Sequence, residues 1–73
     1  MRVKSTPTTV HRGNFGVGQL VKTNAAYRRI YPRSLANRGI GRVMWFCRGT
    51  ELRVMFPGMT NPLQIDERFL EAA

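Results

Sequence analysis

The sequence predicts an all-β fold: a small, strongly bent barrel of four to five short strands with a C-terminal helical turn. Three observations carry this reading. A chain of 73 residues with a hydrophobic fraction of 42% holds one small core and is not disordered throughout. Short segments that favour extended structure recur between Gly, Pro and Asn punctuation, which argues for β closure over a helical bundle. The stretch 51–56 alternates cleanly, with Leu52, Val54 and Phe56 on one side and Glu51, Arg53 and Met55 on the other.

Residues 1–13, MRVKSTPTTVHRG, have no period and read as a basic arm, leaving 14–73 as the barrel domain. Gly16-Val17-Gly18 opens a first strand, Gln19 to Thr23, which Asn24 ends. A long connection from Ala25 to Arg38 follows and reads mostly as loop. Ser34 can cap a helical turn there, and Pro32 prevents one continuous helix. Gly39 to Arg48 is the strongest strand. Its parity sets are Val43/Trp45/Cys47, read as the core face, and Arg42/Met44/Phe46/Arg48. Gly49-Thr50-Glu51 turns tightly into the alternating strand. Phe56-Pro57-Gly58-Met59 places Pro and Gly as a type II turn requires. After Asn61-Pro62, Leu63-Gln64-Ile65 forms a short strand, and Asp66 to Glu71 a turn with Asp66 as N-cap. The expected core is Leu20, Val21, Val43, Trp45, Leu52, Val54, Phe56, Leu63, Ile65, Phe69 and Leu70, with Trp45 its largest anchor.

Charge is distributed unevenly. Residues 1–50 hold ten Lys and Arg and no acid, whereas 51–73 hold two Arg against four acids. Ten of the twelve basic residues are Arg, whose planar fork matches phosphate. This excess implies an anionic partner. The longest apolar run, Val43 to Cys47, is far shorter than the roughly 20 residues of a membrane span. No apolar stretch backs the basic N-terminus, so no secretory signal is expected. One cysteine permits no internal disulfide, and a cytoplasmic, reducing location is expected.

Gly18-Gln19-Leu20-Val21 and Gly39-Ile40-Gly41-Arg42-Val43, separated by a long basic loop, resemble the Src-homology-3-like small barrels, including KOW-type translation and transcription modules. The resemblance covers roughly residues 16–70 and implies the fold alone. A closer similarity is to the type II (plasmid-type) dihydrofolate reductases, which are tetramers of such barrels. Phe15-Gly16-Val17-Gly18, Val21-Lys22, Ala25-Ala26-Tyr27 and Val43-Met44-Trp45-Phe46-Cys47 look like that family's Phe-Gly-Met-Gly, Val-Arg-Lys, Ala-Ala-Trp and Val-Gly-Trp-Tyr-Cys. Leu63-Gln64-Ile65 falls near its Val-Gln-Ile-Tyr. That resemblance implies a homotetramer reducing dihydrofolate with NADPH, with Gln64 and Ile65 lining a pore and Lys22 attracting the anionic ligands. The chain departs from the family at Asp66, where a Tyr stands, and in the arginine-rich insert between Tyr27 and Gly39.

The residues themselves favour a binding module over an enzyme. In Tyr27-Arg28-Arg29-Ile30-Tyr31-Pro32-Arg33, arginines can neutralise phosphates while tyrosines stack on bases; the bland alternative is that the tyrosines only pack the loop down. Arg38 and Arg42 add charge around Gly39 and Gly41. The predicted nucleic-acid contacts are therefore Lys22, Tyr27, Arg28, Arg29, Tyr31, Arg33, Arg38 and Arg42. The partner is nucleic acid, RNA or a ribonucleoprotein surface, with the arm around Arg2, Lys4 and Arg12 extending the contact. His11 has no nearby nucleophile or acid, and Cys47 reads as a small core residue. No catalytic, metal-binding or cofactor-binding residue is predicted from them. An oligomer or a larger assembly would stabilise so small a core. A further alternative is an adaptor that docks on an acidic protein through Met44, Phe46 and Met55.

Overall fold

Seven strands are set by the alternation and turn residues of the chain, in a computed structural model that describes residues 11–73, the side chains of His11 and Arg12 excepted. The short strands β1 (His11–Arg12) and β2 (Phe15–Gly16) pair as a hairpin. The main sheet contains β3 (Leu20–Thr23), β4 (Gly41–Phe46), β5 (Glu51–Met55), β6 (Leu63–Asp66) and β7 (Leu70–Ala72). All its pairings are antiparallel, in the order β6-β5-β4-β3-β7. Strands β6 and β7 are its edges, and no β6–β7 ladder closes it among the described residues. The hairpin β1–β2 starts ahead of the predicted domain boundary at residue 14, while residues 1–10 of the predicted arm lie outside the described residues. No helix among the described residues is long and apolar enough to cross a membrane.

Three short helical segments interrupt the β order. Helix α1 spans Ala25–Ile30, and a 3-10 turn spans Leu35–Arg38 in the connection read mostly as loop. A second 3-10 turn, Glu67–Phe69, is capped by Asp66 as predicted, its carboxylate accepting from the Arg68 amide at 3.0 Å. The predicted type II turn forms: Met59 N donates to Phe56 O at 3.2 Å, and Gly58 takes φ +86°, where a side chain would be strained.

The core joins Val21, Val43, Phe46, Leu52, Val54, Phe56, Ile65 and Leu70 to Phe15, Tyr27 and Ala36. Here the predicted core face of β4 is corrected. Trp45 is 57% exposed, whereas Phe46 is buried. The pairing runs Val43↔Val54 and then Trp45↔Arg53, so Met44 is the extra residue of a β-bulge. A bulge reverses the phase of every later side chain in the strand. Val43 and Phe46 therefore point inward, and Met44 and Trp45 outward. Leu20, also expected in the core, is exposed on the same outer face opposite Arg42.

Candidate nucleic-acid interface

The basic connection between β3 and β4 is built from two caps and two anchors. Asn24 Oδ1 accepts from the Tyr27 amide at 3.1 Å and starts α1. The helix stops at Tyr31, because Pro32 disfavours helical geometry at the residue before it. Ser34 Oγ accepts from the Ala36 amide at 3.2 Å and starts the 3-10 turn, which buries Ala36. The Tyr27 and Ser34 hydroxyls lie 2.9 Å apart, tying the two pieces together. Buried Thr23 donates to Asn37 Oδ1 at 2.8 Å and fixes the turn to β3.

With Tyr27 and Ala36 facing inward and Ser34 and Asn37 half-buried, the charged side chains face water. Arg28, Arg29, Arg33 and Arg38 are all exposed. Arg28 Nη1 donates to Thr23 O at 2.6 Å and Arg42 Nη1 to Gly18 O at 3.0 Å, which orients both guanidiniums and leaves each with further donors. Lys22 differs, since its ammonium pairs with Glu71 at 3.5 Å. It is the only ion pair among the described residues.

Tyr27 does not present a stacking face. It is buried, with its hydroxyl satisfied and Tyr31 and Phe69 against its ring at centroid distances of 4.9 and 5.7 Å. The packing alternative holds for Tyr27, and the tyrosine of this segment that faces solvent is Tyr31, which is 50% exposed.

The other three carboxylates are held by neutral groups. Glu67 receives the Asn14 amide and side chain at 3.5 Å, Glu51 receives Gln64 Nε2 at 2.6 Å, and Asp66 receives the Thr50 hydroxyl at 2.8 Å. The Arg68 amide and then the Thr50 hydroxyl hold the Asp66 carboxyl below its ordinary 3.8; desolvation opposes them, and the Arg68 charge adds the smallest lowering effect. A lowered folded-state value means the unfolded chain binds the proton more readily. The Asp66 contribution is therefore complete above the ordinary value and fades as pH falls through the folded one. We expect Asp66→Asn to flatten the dependence of the urea midpoint on pH below about 4. An unchanged acid limb would remove this role.

The bulge adds residues that the sequence reading missed. Outward Trp45 lies directly opposite Arg53, which lies opposite Gln64, while Arg42 stands between Met55 and Leu20. The outer sheet face thus carries an exposed indole beside two exposed guanidiniums. The available signal was the hairpin: inward Leu52, carried across the turn, places its partner Phe46 inward too. Buried Phe46 consequently cannot belong to a docking face with Met44 and Met55. Those two line a shallow hollow of about 350 Å³ with Leu20, Ile40, Arg42 and Pro57.

Gln64 lines a separate groove of about 340 Å³ with Tyr31, Glu51, Asp66, Arg68 and Phe69, and Ile65 lies at its buried floor. Lys22 is not among its walls. No group of three or more His, Cys, Asp or Glu able to hold a metal exists among the described residues. No protein-family model matches the chain, and no match was found among curated proteins or solved structures.

Proposed function

We propose that the chain is a single-stranded nucleic-acid-binding module, with RNA or a ribonucleoprotein surface as its partner, on a scaffold of the Src-homology-3-like type. One observation carries the reading. Every described cation is exposed, and apart from Lys22, on Glu71, none is paired with a carboxylate, while Glu51, Asp66 and Glu67 take neutral donors. Guanidiniums without internal counter-ions attract phosphates and release condensed ions on binding. Arg28, Arg29, Arg33, Arg38 and Arg42 supply this attraction. Exposed Tyr31 and Trp45 supply faces on which unpaired bases stack, each worth about 1–3 kcal/mol. Lys22 contributes less, because Glu71 already neutralises it.

The test is fluorescence anisotropy with labelled single-stranded RNA and DNA at rising salt. Log affinity is expected to fall linearly with log salt, with a slope of about −0.7 per phosphate contacted. Binding that ignores salt, or no binding to either strand at low salt, contradicts the proposal.

A further inference from the structure

The groove beside Tyr31 is chemically unlike the arginine surface. Its walls are the half-exposed Tyr31 ring, tilted against Tyr27 at a centroid distance of 4.9 Å, and Phe69, over which the Arg68 guanidinium sits at 5.1 Å. Leu63 and Ile65 complete an apolar floor. The polar lining sets acceptors on Glu51, Gln64 and Asp66 against one cation, the exposed Arg68 guanidinium. Gln64 Nε2 is engaged by Glu51 Oε1 at 2.6 Å, which leaves Glu51 Oε2 and Gln64 Oε1 without partners among the described residues. Asp66 adds a second carboxylate beside them.

The Glu51 and Asp66 carboxylates disfavour a phosphate on their side of the groove, whereas a flat base with a donor-rich edge is complementary to that side. Of the four bases, guanine alone presents a ring N–H next to an amino group, a pair that the Glu51 carboxylate accepts in a fork through Oε2 and the second lone pair of Oε1. Cytosine and adenine offer the amino group without the adjacent ring N–H. Uracil places its one N–H between two carbonyl oxygens, which face the lining unfavourably.

We propose that this groove holds one unpaired guanine base of a bound single strand, with Tyr31 stacking on it and Glu51 accepting from its Watson–Crick edge. The proposal rests on the nucleic-acid reading above and adds a base preference to it. The phosphates flanking that guanine are met by the arginines that adjoin Tyr31 in the chain, Arg28, Arg29 and Arg33. Backbone contacts position the strand, and the groove reads one base.

The test measures the affinities of single-stranded oligonucleotides, as RNA and as DNA, that differ at one central base. Guanine is expected to bind about tenfold more tightly than uracil or thymine, in keeping with a bidentate base contact. Glu51→Gln, which replaces one acceptor oxygen by a donor on a half-buried side chain, is expected to abolish that preference and keep the salt slope. Tyr31→Ala is expected to weaken all four bases alike. Equal affinity for the four bases, or a guanine preference that survives Glu51→Gln, overturns the groove assignment and leaves the arginine reading standing. Absence of binding to every strand at low salt defeats both. Oxidation of NADPH by dihydrofolate that disappears in Gln64→Ala assigns the groove to a reductase site and also overturns the proposal.

Discussion

Replacing Arg29, Arg33 and Arg38 together by Gln is expected to make the salt dependence of single-strand binding shallower by about 2 in log–log slope, near 0.7 for each phosphate that is no longer neutralised. The affinity should fall to a similar extent for every base composition, because phosphate contacts carry no sequence information. Folding should be undisturbed. All three side chains are exposed, and none forms a hydrogen bond or ion pair among the described residues. Arg28 is omitted deliberately, since its bond to Thr23 O braces the connection. Melting curves of the triple variant that coincide with the parent, alongside the reduced slope, separate a binding role from a structural one. A slope equal to that of the parent removes these three arginines from the interface.

Phe46→Ala and Trp45→Ala should part company sharply. Phe46 is buried against the core, and its truncation is expected to cost about 3–5 kcal/mol in urea unfolding. Trp45 is 57% exposed beyond the bulge, so its truncation should stay within about 0.5 kcal/mol. In binding the order reverses: Trp45→Ala is expected to weaken single-strand affinity by about 1–3 kcal/mol if one base stacks there. If Trp45→Ala proves the more destabilising of the two, the bulge and the outward indole are wrong.

The contrast between these neighbours shows where sequence patterns stop informing. Strands β3 to β6 were legible because Leu52, Val54 and Phe56 alternate strictly and Gly, Pro and Asn bound each run. The caps at Ser34 and Asp66 were legible because short polar side chains ahead of a turn have few other uses. The bulge was not, because one extra residue leaves no local trace and is fixed only by pairing with β5. Helix α1 buries a single residue, Tyr27, so six residues carry no hydrophobic period. Strand β7 is three residues long and owes its existence to the ladder Val21↔Ala72, Lys22↔Glu71 and Thr23↔Leu70.

The candidate site divides along the same line. The arginines of the β3–β4 connection were visible as composition, and their exposure follows from two inward anchors, Tyr27 and Ala36. What composition could not supply was the fate of the carboxylates. Asn14, Thr50 and Gln64 are remote in sequence from the acids they serve, at separations of 53, 16 and 13 residues. Only the fold brings these neutral donors to Glu67, Asp66 and Glu51, and so leaves the guanidiniums without partners. The same folding sets Gln64 beside Tyr31 in one groove and holds Lys22 on Glu71 outside it.

The most direct test is an NMR titration with a single-stranded oligonucleotide that observes the arginine Nε–Hε resonances. Shifts are predicted at Arg29, Arg33 and Arg38, saturating together and reversed by salt. Shifts confined to the Thr50–Glu67 end, or none at the three arginines while the oligonucleotide is bound, would contradict the account.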